Sequence, residues 1–135
     1  MKIEELNEQL LKDLEINPAQ LLVESSKNPI IHARWLKVLN DARREIIALE
    51  AKKKKLLKDK IDYYANRGNE FCPFEYTNSE LKIVLNADKE LLPIDTKIDY
   101  YSLVADFANK ALDAIKGRGY AINNMVKLRE LESGK

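Results

Sequence analysis

Residues 52–67 run Lys-Lys-Lys-Lys-Leu-Leu-Lys-Asp-Lys-Ile-Asp-Tyr-Tyr-Ala-Asn-Arg, the most distinctive side-chain chemistry in the chain. Lys52, Lys53, Lys54, Lys55, Lys58 and Lys60 place six cations within nine residues, opposed only by Asp59, and Tyr63, Tyr64 and Arg67 follow. Ammonium groups at this density attract a polyanion, and phenol rings offer faces on which exposed bases stack. The combination suits a single-stranded nucleic acid better than a membrane or an acidic protein. Lys53, Lys54, Lys55, Lys58, Lys60, Tyr64 and Arg67 are the candidate contacts, Tyr64 being favoured over Tyr63 because Tyr63 lies on an apolar seam. The competing reading is a solvated helix face. Against it, the lysines surround the whole helix and repel one another at 52–55. Apart from Glu50 and Lys54, they also lack a Glu four residues earlier.

Other reactive groups are sparse. No Gly-x-x-x-x-Gly-Lys-Ser/Thr spacing occurs, and Gly117-Arg118-Gly119 is too short for a phosphate loop; it reads as a helix end and restart. His32, the only histidine, has no partner that would make it a general base. The single cysteine, Cys72, excludes an intramolecular disulfide and a multi-cysteine zinc site, and reads as a structural thiol. The carboxylates lie mostly on polar helix faces. No catalytic residue, metal ligand or cofactor site is expected, and the chain reads as a non-enzyme. No apolar run is long enough to cross a bilayer, and the N-terminal Met-Lys-Ile-Glu-Glu-Leu is amphipathic rather than a signal peptide, so a soluble intracellular protein is expected.

The elements that must position the lysines are helical. With 135 residues, 45% of them hydrophobic and 33% charged, the chain suits one mainly α domain with one modest core. The net charge of +1 hides an uneven distribution: net −3 over residues 1–28, +6 over 29–69 and −2 over 70–135. Ile3, Leu6, Leu10 and Leu14 predict a short acidic helix over 2–15, and Pro18 opens a second. Asn28-Pro29 is a helix start signal, and no Pro or Gly follows until Gly68. A helix of about 35 residues, roughly 50 Å long, is predicted from there. Its seam of Ala42, Leu49, Leu56 and Tyr63, with Leu39 and Ile46, asks for a partner helix. Because Lys53 and Lys60 interrupt that seam, the last third is expected to emerge toward solvent or a ligand.

Residues 66–78, with Asn66, Gly68, Asn69, Pro73 and Asn78, predict a loop, or a small hairpin using Phe71, Phe74 and Tyr76. Thr77 and Glu80 form a capping box for a helix through Leu81, Ile83, Val84 and Leu85. Asp95 or Thr96 is expected to cap a helix over 97–116, and a last helix spans 119–132. Ile98, Tyr101, Ala105, Ala108, Leu112 and Ile115 make one apolar face, widened by Tyr100, Val104, Phe107 and Ala111 to about half the circumference. Ile122 continues it. One neighbour in a small monomer would not cover so wide a face, so Tyr101, Ala105, Ala108, Leu112, Ile115 and Ile122 are the expected contacts between subunits. The domain then divides into N-terminal helices over 1–65, carrying the basic segment 52–67, and a helical oligomerisation region over 78–135.

Several segments taken together resemble the UvsY family of phage recombination mediators. These are Leu57-Lys58-Asp59-Lys60-Ile61-Asp62-Tyr63-Tyr64 with Arg67-Gly68, Leu85-Asn86-Ala87-Asp88-Lys89 and Ala111-Leu112-Asp113-Ala114-Ile115-Lys116. Arg118-Gly119-Tyr120-Ala121-Ile122 and the ending Glu132-Ser133-Gly134-Lys135 complete the match, which runs nearly end to end. The resemblance implies a recombination and replication accessory of a T-even-like phage in the cytoplasm of the infected bacterial host. It implies a ring-like homo-oligomer, hexameric or heptameric, that binds single-stranded DNA. It also implies contacts with a single-strand-binding protein and with a RecA-like recombinase, whose loading it assists. The family's DNA-contacting basic pair falls on Lys58 and Lys60; the second position departs from the family's Arg, keeping the charge but not the planar fork. The C-terminal segment corresponds to the family's assembly element. The alternative is a helical scaffold whose basic segment docks an acidic protein.

Overall fold

The computed structural model describes residues 1–68 and 71–134. Asn69, among the expected turn formers, and Lys135, the end of the matching C-terminal segment, lie outside the described residues. Among those described, the chain is α-helical without a strand: α1 (Ile3–Leu14), a 3-10 turn (Pro18–Gln20), α2 (Leu21–Tyr64), α3 (Asn78–Asn86) and α4 (Leu91–Glu132).

The apolar stripe of α1 follows its 3.6-residue spacing, with Glu4 and Glu5 at the end where the helix dipole favours negative charge. Asn17 accepts from Ala19 N at 3.0 Å and so caps the 3-10 turn that Pro18 opens. The capping box forms as expected: Thr77 Oγ1 accepts from Glu80 N, and Glu80 accepts from Thr77 N.

Three local signals are overridden. The 44-residue α2 starts at Leu21 and carries Pro29 inside it, rather than starting at Asn28-Pro29. The Asn28 side chain serves α4 instead, its Nδ2 donating to Ile115 O at 3.0 Å and its Oδ1 accepting from Arg118 at 2.9 Å. Pro29 forfeits one backbone bond to Ser25 O, and Ser25 is exposed, so water can replace the lost partner. The second correction is at the far end, where α4 runs unbroken through Gly117-Arg118-Gly119 for 42 residues. A Cβ on Gly119 would stand 3.0 Å from Asn28 Nδ2, so this glycine permits a close helix approach instead of ending a helix. Third, α4 starts before Asp95 and Thr96. Asp88 caps it, accepting from Glu90 N at 2.8 Å and Leu91 N at 3.2 Å, and Pro93 falls in the first turn where a missing N–H costs nothing.

The chain forms two compact units, one of Met1–Ala42 with Leu103–Lys135 and one of Arg43–Ser102. In the first, Leu21, Ile31, Trp35, Leu39 and Ala42 of α2 bury themselves against Val104, Ala105, Ala108, Ala111, Leu112, Ile115 and Ile122 of α4. Trp35 and Phe107 pack with ring centroids 5.8 Å apart, while Trp35 Nε1 donates to Asp13 Oδ2 on α1 at 2.9 Å. Here the expectation for the assembly face needs correcting. Ala105, Ala108, Leu112, Ile115 and Ile122 are buried within the protomer, and Tyr101 is half-buried in the second unit. The α2 seam asks for a partner and the α4 face asks for a cover, and in the first unit each satisfies the other. What α4 leaves exposed toward its C-terminus is a different set, including Tyr120, Leu128 and Leu131.

The second unit has a thin apolar core. Only Cys72, Leu91 and Ile94 among its described apolar residues are fully buried. The hairpin does not form among the described residues. Instead α2 ends in a turn in which Arg67 N and Gly68 N both donate to Asp62 O, with Asn66 at φ 56°, a conformation asparagine tolerates well.

Candidate nucleic-acid interface

The basic run lies on the last turns of α2, inside the second unit, and the helix sorts its six lysines into two groups. At about 100° per residue, Lys53 and Lys60 share one side and Lys52, Lys54, Lys55 and Lys58 fan over the other. The fan is exposed, and no carboxylate among the described residues pairs with it. Its cations repel one another, and only solvent ions or a ligand relieve that.

Lys53 and Lys60 do not emerge to solvent as the interrupted seam suggested. Lys53 Nζ lies 2.7 Å from Asp95 Oδ1, and Lys60 Nζ lies 3.2 Å from Glu90 Oε1 and 3.4 Å from Asp88 Oδ2. The second row of the seam continues past Ile46 by changing from apolar to ionic. Seven residues separate the two lysines and seven separate Asp88 from Asp95, so the pairs fall in register.

Asp88 is the centre of this region. Besides capping α4, it accepts the Tyr64 hydroxyl at 2.7 Å. Burial alone would raise its pKa, but the Tyr64 hydrogen bond, the Glu90 and Leu91 N–H groups and the Lys60 charge outweigh it, and the carboxyl is held below its ordinary 3.8. For Lys60, burial disfavours the charge, yet the hydrogen bond to Glu90 and the field of Asp88 win and raise its pKa above 10.5. The Tyr64 phenol is also pushed up, by its hydrogen bond to Asp88 and then by burial, so it remains a donor.

Tyr64 is therefore committed. Tyr63 meets its ring edge-on at 5.0 Å and Tyr76 at 5.9 Å, so the ring expected to receive a base is packed within the unit. Arg67 is exposed, and its Nε stands 4.0 Å from Asp62, too far for a firm pair. Lys60, Tyr64, Arg67, Asp88, Lys89 and Glu90 help line an open cleft of about 840 Å³.

Sequence reasoning missed Asp88 and Glu90. Asp88 has the form of an N-cap, a short acceptor three residues ahead of Leu91-Leu92, and that signal was legible. Glu90 shows no such signal, because its role exists only once Lys60 is near. Also missed was Arg118, nearly inaccessible in the first unit, which binds the Glu24 carboxylate at 2.5 Å, Asn28 Oδ1 and the carbonyls of Glu15 and Glu24. Among the described residues no cluster of His, Cys, Asp and Glu could hold a metal ion, and no helix is long and apolar enough to cross a membrane.

Comparison with known proteins bears on this arrangement over the full chain. Residues 9–135 match the family model described as recombination, repair and ssDNA binding protein UvsY. The recombination protein uvsY of Enterobacteria phage T4 is 41% identical, and the alignment covers 100% of both chains. The crystal structure of the bacteriophage T4 recombination mediator protein UvsY in lattice type II aligns with a TM-score of 0.92 and 40% identity over 98% of each chain. That in lattice type III aligns at 0.82 and 33%, over 98% of this chain and 99% of the other. A mainly helical chain that matches this family over nearly all its length, and whose fold aligns with solved members, belongs to the UvsY family of recombination, repair and single-stranded-DNA-binding proteins.

Proposed function

We propose that this protein is a recombination mediator that binds single-stranded DNA as an oligomer and promotes loading of a RecA-like recombinase onto DNA covered by single-strand-binding protein. The observation that carries the reading is the fan of Lys52, Lys54, Lys55 and Lys58, exposed and unpaired with carboxylates among the described residues. A phosphate backbone relieves the mutual repulsion of these groups and releases counterions as it does so. Lys58 contacts phosphate from the fan, whereas Lys60 reaches it by exchanging Glu90 for a phosphate oxygen.

About four phosphate contacts per subunit bind weakly alone, and repetition around a ring-like hexamer or heptamer multiplies them by raising the local concentration of sites. Exposed Tyr120, Leu128 and Leu131 supply apolar surface for such an assembly. No hydrolysis is required. The mediator need only prefer the DNA conformation that favours recombinase over the resident binding protein, since differential affinity alone shifts that balance.

The test is a salt titration of single-stranded oligonucleotide binding by wild type and by a Lys54→Ala, Lys55→Ala, Lys58→Ala variant. Each lost phosphate contact should flatten the slope of log affinity against log salt by about 0.7, so roughly two for the triple variant. An unchanged slope would remove the fan from the interface.

A further inference from the structure

We infer that residues 71–76 form a base-stacking platform for single-stranded DNA, with Phe74 its main ring and Phe71 beside it. This subsite rests on the single-strand-binding reading above and adds to it a contact with bases rather than phosphates. Phe71 is 81% exposed and Phe74 64% exposed, although each would gain free energy from burial. They stand out from an anchored segment. Cys72 N donates to Asn66 Oδ1 at 2.8 Å, and the buried Cys72 thiol donates to Phe74 O at 3.4 Å. Behind Phe74 runs a line of ring contacts. Its ring lies 6.2 Å from Tyr76, Tyr76 lies 5.9 Å edge-on from Tyr64, and the Tyr64 hydroxyl is tied to Asp88. Phe74 is thus backed on one side and open on the other, the geometry a stacking ring needs.

The surroundings select the occupant. Tyr64, from which the ring line starts, follows the lysine fan on the same helix, six residues after Lys58, and lines a cleft in which Lys60, Arg67 and Lys89 stand among Asp59, Asp62, Asp88 and Glu90. An apolar protein surface gains nothing from the exposed lysine fan on the helix that carries Tyr64. A single strand presents phosphates to the cations and π-faces to the rings, and stacking on aromatic side chains tolerates any base. The Tyr64 ring is half-buried against Tyr63 and Tyr76 with its hydroxyl on Asp88, so the function expected of it in the sequence passes to the more open Phe74.

Stacking and charge neutralisation are separable because only the second depends steeply on salt. The experiment compares wild type with Phe71→Ala plus Phe74→Ala, binding a base-bearing oligonucleotide and an abasic strand of equal length across a salt series. The expected result is a loss of roughly tenfold on the base-bearing strand at every salt concentration, an unchanged slope, and equal affinities for the abasic strand. A Phe74→Trp variant should bind as wild type, with its indole fluorescence changing on the base-bearing strand only. Equal affinity of wild type and the double variant for the base-bearing strand overturns the platform, as does an equal loss on both strands. If wild type binds neither strand, the single-strand-binding reading itself fails. If the lysine variant loses affinity while the phenylalanine variant does not, that reading stands and only the platform falls.

Discussion

Both units hold a cluster in which one cation meets several acceptors from distant segments, and the two clusters use that chemistry to opposite ends. In the first unit Arg118 joins Glu24, Asn28 and the Glu15 carbonyl. In the second, Lys60 joins Asp88, Glu90 and, through Asp88, Tyr64. Both carboxylates sit below their ordinary pKa against the pull of burial. Glu24 is held there by hydrogen bonds from Lys27 and Asn17 N, then by the Arg118 charge. The difference lies in the cations. Guanidinium has five donors in a fixed fork, and carbonyls, amide oxygen and carboxylate satisfy them from several directions, leaving nothing for a ligand. Ammonium is a compact charge whose partners can be exchanged, and Glu90 is 61% exposed and free to swing away. Arginine here builds architecture, while lysine makes pairs that can be exchanged.

The sharpest way to break the comparison is Arg118→Ala. It leaves the Glu24 carboxylate buried without its guanidinium and should cost about 3–5 kcal/mol in chemical denaturation. Arg118→Lys should recover little, since an ammonium cannot reach the same acceptors; full recovery would show that charge alone is needed there. Next in size is Asp88→Asn, expected to cost about 1–3 kcal/mol at neutral pH through the lost charge on Lys60, Tyr64 and the α4 cap. Its pH dependence is the finer test. The folded pKa of Asp88 is depressed, so its contribution is complete above 3.8 and drains away as pH falls below that value. Wild type and variant should therefore converge in acid; parallel stability curves would mean that Asp88 is not the titrating clasp. The smallest effect is that of Glu90→Gln, which leaves Lys60 with Asp88 as its one carboxylate partner and should raise single-strand affinity about two- to fivefold, the worth of an exposed pair. In a Lys60→Ala background the gain should vanish, and if it persists Glu90 acts only as bulk negative charge.

Where a local rule faced no remote competitor, the sequence was legible. The Ile3, Leu6, Leu10, Leu14 stripe, the Thr77–Glu80 box and the Leu39–Ala42 part of the seam all behave as their spacing requires. Failures cluster where a distant residue outbid the local one. Asn28 would cap a helix were Arg118 and the Ile115 carbonyl not beside it, and Gly119 would end one were it not crossing Asn28. Lys53 and Lys60 look like breaks in a seam until Asp95 and Asp88 face them. The candidate site was half legible for the same reason. Its exposed lysines declare themselves by number, whereas the division into a free fan and a paired row needs the partner strand of chain to be known. The width of the α4 face was read correctly and its cover was not, because α2 and α4 are each longer than Pro29 and Gly117 suggested.

The buried Cys72 thiol has a consequence of another kind. It is the only sulfhydryl in the chain, and it is buried although Phe71 and Phe74 on either side of it are exposed. A thiol reagent reaches a buried sulfhydryl only when the structure around it opens, so the rate of Cys72 alkylation times that local opening from within the native molecule. The chain thus carries a built-in clock for the segment proposed to stack bases, with no label to be added.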